Sequence, residues 1–315
     1  MTTTQKKILS PAYWAVCIFV VAQLLTFLVI SRVDVYVESS HIYIPEQSPE
    51  SISLWPQPTE PAPPGEVPAP AVGSLGPIII YFFVLVVVIG IILSLVPISA
   101  LRLLLRFLFA FLFSWGTFII LIFWFPFVIA LIIAIIVGLA WFLIPRVWLH
   151  NLVMILAIVS LGAVFGRLIT PWTAMILIAA LALYDLFAVR FGYMLWMAKK
   201  LTESSTLPAF IIPRSITEWN LSLKKSDYSK PIEEESFEKK YSILGGGDIG
   251  FPLLLVSSSY FGYGFTDAII VASFSLLGLL CAYWIQAALL KGKPMPALPP
   301  IAVLSLIALL IVRYL

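Results

Sequence analysis

Two aspartates lie well inside apolar segments of this chain. Asp185 stands in "LALYDLFAVR" and Asp248 in "LGGGDIGFP", while the rest of the 16 acidic residues fall in loops or at the edges of apolar stretches. A charged side chain at the centre of a bilayer costs about 2.5–3.5 kcal/mol on insertion scales, and acids held against that cost face a water-filled interior and serve chemistry or transport. In a helix rising 1.5 Å per residue, Asp185 is about 7–8 Å from Arg190, and Asp248 is about 12 Å from Lys240. Both acids therefore sit in the same half of the membrane, on consecutive segments that can pack antiparallel and turn the carboxyls toward each other. Two facing carboxylates in a low-dielectric site do not both ionise easily, and the pair shares a proton. An aspartic protease needs that condition: one group takes a proton from water while the other donates to the peptide carbonyl.

Gly245, Gly246 and Gly247 stand directly before Asp248. Without side chains they weaken the local helix and let another backbone approach, as a peptide that must be unwound before it is cut requires. Glycines in membrane helices also serve helix packing, so the triplet gains its meaning from the acid beside it. The rival reading of the two acids is a proton- or cation-coupled transporter or channel. Against it, the chain has no internal repeat. Metal catalysis lacks ligands, since the two histidines, His41 and His150, are far apart and Cys17 and Cys281 lie singly in apolar segments. Ser257, Ser258 and Ser259 have no nearby histidine and read as packing or back-bonded hydroxyls.

The elements that position the acids are membrane helices. The chain has 315 residues, 61% of them hydrophobic and 11% charged, with a mean hydropathy of +1.05. Soluble domains carry about 25% charged residues, so this is an all-α polytopic membrane protein. The formal charge of +3 gives no ground for a nucleic-acid partner. Nine apolar segments are legible, at 11–31, 76–98, 103–125, 127–145, 149–166, 171–196, 242–261, 267–290 and 297–313, with breaks expected at Pro126, Pro145 and Pro171. A count of eight follows if two of them merge. The first segment lacks a small-residue cleavage site after it and reads as a retained helix. With a cytoplasmic N-terminus, all 19 basic residues except Arg32, Arg167 and Arg313 fall on the cytoplasmic side, and the C-terminus is outside. Two loops are long. One, about 32–75, is an extended, proline-rich outer spacer carrying Glu46, Glu50, Glu60 and Glu66. The other, 197–241, reads as a mobile cytoplasmic loop between a six-helix part (1–196) and a three-helix part (242–315).

Three motifs now occur in order: "YD" at Tyr184 and Asp185, "GGGD" from Gly245 to Asp248, and "PALP" from Pro296 to Pro299. This pattern resembles the presenilin and signal-peptide-peptidase family of GxGD intramembrane aspartyl proteases, and is most like an archaeal presenilin homologue. The N-in orientation is similar to the presenilin branch. The resemblance implies a presenilin-like fold of nine transmembrane helices and hydrolysis of peptide bonds within transmembrane helices of membrane-protein substrates. It assigns Asp185 and Asp248 as the catalytic pair, and gives Pro296, Ala297 and Leu298 a part in positioning substrate. The same "PMPALPP" stretch, taken alone, is a proline-rich start to the last helix. Tyr184 either hydrogen-bonds near the acids or packs. No cofactor or metal is implied. The expected partners are substrate helices and the lipid bilayer, the enzyme acting alone or as a homo-oligomer without an evident accessory subunit, in the cell membrane of a prokaryote. An extended substrate would pair with enzyme backbone where the helices are weakest, around 240–244 and on the approach to Pro296. Reporter fusions are expected to place the 197–241 loop in the cytoplasm and the C-terminus outside; a cytoplasmic C-terminus would overturn the nine-segment count or its orientation.

Overall fold

Prolines and glycines divide the apolar blocks into helices. The computed structural model describes residues 3–40, 97–144, 146–192, 208–213, 219–220, 222, 241–289 and 296–314, with seven single positions between 80 and 95. The segment expected at 76–98, the proline-rich arm beyond 40 and most of the 197–241 loop lie outside the described residues. Among those described there are eight helices: α1 (Thr3–Ser40), α2 (Ile98–Leu121), α3 (Phe127–Leu143), α4 (Val147–Leu168), α5 (Pro171–Arg190), α6 (Gly246–Tyr263), α7 (Phe265–Ala288) and α8 (Leu298–Tyr314). Pro97 and Pro126 stand directly before α2 and α3. Pro171 opens α5, where its missing N–H costs nothing, and Thr170 Oγ1 accepts the N–H of Thr173 at 3.2 Å as the cap. Gly264 alone links α6 to α7 at φ +106°, a backbone that a residue with a Cβ rarely adopts.

Among the described residues, five helical stretches are long and apolar enough to cross a bilayer: Ala12–Val33, Arg102–Leu121, Val147–Leu168, Pro171–Arg190 and Phe265–Ala288. The apolar helices α3 and α8 are shorter, at 17 residues each. Four helices differ from the sequence reading by four residues or more, and one of them, α2, runs Ile98–Leu121 where 103–125 was expected. The first helix runs to Ser40 rather than 31, because no proline or glycine interrupts 12–44. The sixth expected segment ends at Arg190 instead of 196, turning through Gly192 at φ +71°. The seventh does not begin as a helix at 242: residues Tyr241–Gly245 form a strand, and the helix starts at Gly246.

Large side chains such as Phe19, Phe113 and Leu253 fill the core, and small residues face inward where two helices approach closely. On α3, Ala130, Ala134 and Gly138 are buried, while Phe127, Val128, Ile132, Ile136 and Leu139 are exposed. The small stripe lets α2 approach until Ser114 Oγ donates to the Ala134 carbonyl at 2.9 Å. An exposed apolar surface of this extent suits lipid. Polar links tie other pairs: Gln23 Nε2 on α1 donates to the Ala272 carbonyl on α7 at 2.8 Å, and the Ser275 and Ser305 hydroxyls of α7 and α8 meet at 3.0 Å. Gly278 brings α7 against α8 so closely that a Cβ there would lie 2.5 Å from the Ile301 Cα. At the centre stands α6, against α1, α4, α5, α7 and α8. Of its serines, Ser258 back-bonds to the Leu255 carbonyl at 3.0 Å, while the Ser257 and Ser259 hydroxyls are buried in packing contacts.

A two-stranded sheet departs from the all-α expectation. Strand β1 (Ala209–Pro213) pairs antiparallel with β2 (Tyr241–Gly245), Phe210 opposite Leu244, Ile211 opposite Ile243 and Ile212 opposite Ser242. Strand β1 belongs to the loop expected to be mobile, yet all five of its residues are buried. Its apolar "AFIIP" sequence, β-branched at its centre, is a short buried strand that the charged flanks obscured.

Candidate active site

Asp248 is the third residue of α6, whose first turn has free backbone N–H groups and the positive end of the helix dipole. Its carboxyl reaches back to accept the N–H of Gly245, the N-cap residue, as the acid of a capping box does. A Cβ on Gly245 would sit 3.0 Å from Asp248 Oδ2, so the side chain lies over a bare backbone. Four residues on, Pro252 offers no N–H to the Asp248 carbonyl, which loosens the helix at the acid itself.

Asp185 lies in the last turns of α5 and is half-buried, as Asp248 is. Its carboxyl accepts the backbone N–H of Leu298, the first residue of α8. That donor is available because the first N–H groups of a helix have no acceptor within it. Pro299 and Pro300 have no N–H, so two of the donors that would open α8 are missing, and the Leu298 N–H points past the helix start to Asp185. Pro296 and Leu298 are buried and Ala297 is half-buried. Each acid thus rests on the N-terminal end of a different helix, and the two are within electrostatic reach of each other. The structure therefore brings together Asp185, Asp248, Gly245 and Leu298. Tyr184 is half-buried beside Asp185.

The three glycines differ. Gly246 is buried, donates its N–H to the Pro208 carbonyl at 3.1 Å, and would place a Cβ 3.0 Å from that same oxygen and 2.8 Å from Met154 Cε. Gly247 is exposed and meets only the Phe251 ring.

Two features escaped the sequence. Tyr283 of α7 is close enough to Asp248 to interact with it electrostatically; in "CAYWIQ" it reads as an ordinary aromatic of a membrane helix. His150 and Asn151 of α4, the former considered only as a metal ligand, instead hold β1, with His150 Nε2 2.9 Å from the Ala209 carbonyl and Asn151 bonded to both backbone groups of Ile211. Adjacent buried polar residues in an apolar helix were the available signal. Among the described residues no group of three or more His, Cys, Asp or Glu side chains is gathered as metal ligands would be.

Apolar helices of bilayer length, packed around two acids within electrostatic reach of each other, define a multi-pass membrane protein. The chain belongs to the family described as signal-peptide peptidase, presenilin aspartyl protease, whose pattern it matches over residues 66–314. It is accordingly an intramembrane aspartyl protease of the GxGD type, acting on membrane helices within the bilayer. Two solved structures described as a presenilin family intramembrane aspartate protease share the fold. One, in space group C222, superposes with a TM-score of 0.58 at 16% identity, covering 96% of this chain and 98% of that one. The other, in P2, gives a TM-score of 0.53 at 16% identity, covering 95% of each. A comparison with curated proteins found no match.

Gly246→Ala is expected to destabilise the protein by about 1–3 kcal/mol, as overpacking against backbone does. Gly247→Ala is expected to be neutral or to stabilise by about 0.4–1 kcal/mol, because only a ring that can swing opposes it. Thermal unfolding of the two variants in detergent measures the difference.

Proposed function

We propose that Asp185 and Asp248 are the catalytic pair, sharing one proton between them. The observation that carries this is their convergence, each on a helix N-terminus, at the end of a strand whose far edge leads to Asp248. The ionised carboxylate takes a proton from a water molecule, whose oxygen bonds to the scissile carbonyl carbon. The protonated carboxyl gives its proton to the carbonyl oxygen. Collapse of the tetrahedral intermediate breaks the C–N bond, and a proton passes to the leaving nitrogen. The Leu298 and Gly245 N–H groups hold the carboxylates as acceptors and orient them.

A substrate helix has no free amides, so the cut stretch must be extended. Strand β2 supplies the template. Ile211 directs its N–H and C=O to Asn151, away from β2. In an antiparallel ladder both groups of a residue point the same way and alternate along the strand. The β1–β2 bonds therefore run through Phe210 and Ile212, and Ile243, opposite Ile211, turns its groups to the far edge. Ile243 is 37% exposed. Two residues further along that edge, about 7 Å on, the Gly245 N–H meets Asp248. A strand paired at Ile243 thus brings its next peptide to the acid. Tyr184, Gly247, Pro296 and Ala297 complete the walls that position it. We assign nine spans, a cytoplasmic N-terminus and an outer C-terminus, in the cell membrane of a prokaryote, the enzyme working alone or as a homo-oligomer.

Asp185→Asn and Asp248→Asn should each fold as the wild type does and lose at least about 10³-fold in turnover of a single-span peptide. Substantial cleavage by either folded variant removes the assignment. Leu298→Pro deletes the N–H given to Asp185 while remaining compatible with a helix start. It should lower turnover about 10- to 100-fold, as loss of a hydrogen bond to a charged group does, whereas Leu298→Ala keeps the donor and should lose less. Steady-state rates on the purified variants compare them.

A further inference from the structure

The outer edge of β1 is not left open. Asn151 is 3% exposed and acts toward Ile211 as a neighbouring peptide unit would: its Nδ2 donates to the Ile211 carbonyl at 2.7 Å and its Oδ1 accepts the Ile211 N–H at 3.0 Å. One turn of strand earlier, His150, 2% exposed, meets the Ala209 carbonyl at 2.9 Å through Nε2. The tautomer follows from its other neighbour. Trp141 Nε1 can only donate, and it points at His150 Nδ1 at 3.3 Å, so Nδ1 accepts and the proton is on Nε2, which donates to Ala209. The same end of α4 holds the chain further on, where Arg146 donates to Asn220 Oδ1 at 2.7 Å and pairs with Ser222 in a β-bridge.

This arrangement fixes register. Ala209 and Ile211 are alternate residues, so their outward groups lie on one edge, and two adjacent side chains of a rigid helix grip both. Register in a short, apolar strand is otherwise weakly specified, because a slip by two residues preserves every side-chain face. Strand β1 in turn pairs with β2, which runs without a break into Gly246 and Asp248. We propose that His150 and Asn151 form a positioning clamp that sets the register of β1, and through β1 and β2 sets the residue of the substrate that lies at the aspartates. The clamp rests on the proposed protease reading and its β2 docking edge. It makes cut position, rather than rate alone, depend on residues that touch neither acid.

The test uses the full chain in detergent with a single-span peptide, reading product masses and hydrogen exchange over 208–213. Asn151→Leu should speed exchange there at least about tenfold and move the principal cut by one or two residues in a major share of the product. His150→Phe should move it likewise, while His150→Gln, which keeps a donor for Ala209, should retain the wild-type products. Unchanged exchange, or slower turnover with every product mass preserved, overturns the clamp. Should Asn151→Leu fail to fold, the His150→Phe and His150→Gln pair decides by the same two readouts. A wild type that forms no product removes the protease reading instead, and exchange over 208–213 still judges the clamp.

Discussion

Backbone that leaves the helix beside a hydrocarbon phase must find partners for its N–H and C=O groups within the protein. The structure depends on how that demand is met around Gly245. Helix α6 must start abruptly there for Asp248 to stand at a helix end, and the residues before it must be extended. Strand β1 satisfies one edge of β2, and α4 satisfies the outer edge of β1 through Asn151 and His150. The Gly246 N–H closes the corner on the Pro208 carbonyl. Among the described residues, β2 pairs with β1 alone, and Ile243 on it is 37% exposed.

Helix ends explain why two acids are tolerable so close together in an apolar protein. Each carboxyl accepts a backbone N–H at a helix start, Gly245 for Asp248 and Leu298 for Asp185. Helix N-termini favour negative charge, which opposes both desolvation and the mutual repulsion of the pair. Asp248 finds its donor at the start of its own helix, whereas Asp185, inside α5, takes one from the start of α8. Pro299 and Pro300 supply no N–H, so Leu298 is the donor to Asp185 at the start of α8, and Pro252 weakens α6 one turn beyond Asp248. Helix-weakening residues next to a polar centre therefore belong to the design of the site.

Around this centre, packing follows membrane rules. Ala130, Ala134 and Gly138 face inward on α3, Gly278 admits the backbone of α8, and buried polar contacts such as Gln23 to Ala272 join helices that hydrophobicity alone would not select. The close seating of α7 and α8 matters to Asp185, because α8 carries the Leu298 donor. A shift of that helix by one turn would take the N–H away from Asp185.

The sequence by itself determined the membrane class, the helical segments between prolines, the two acids and the GGGD and PALP motifs, because each is a local pattern: apolar runs of bilayer length, charges in the wrong solvent, breakers at fixed offsets. It also marked 240–244 as weak helix, though not as a strand. The helix boundaries at 31, 196 and 242 failed where ends are set by a late breaker, a turn glycine or a distant strand partner, and the one at 103 failed because the helix starts directly after Pro97. Tertiary structure alone decided that "AFIIP" joins β2, that Asn151 and His150 hold it, that Tyr283 approaches Asp248 and that Leu298 faces Asp185. Asn151 and Ile211 are 60 residues apart. No period or propensity near either residue encodes their bond; it exists because α4 and α6 pack side by side and leave one strand edge that only a buried amide of the right reach can satisfy.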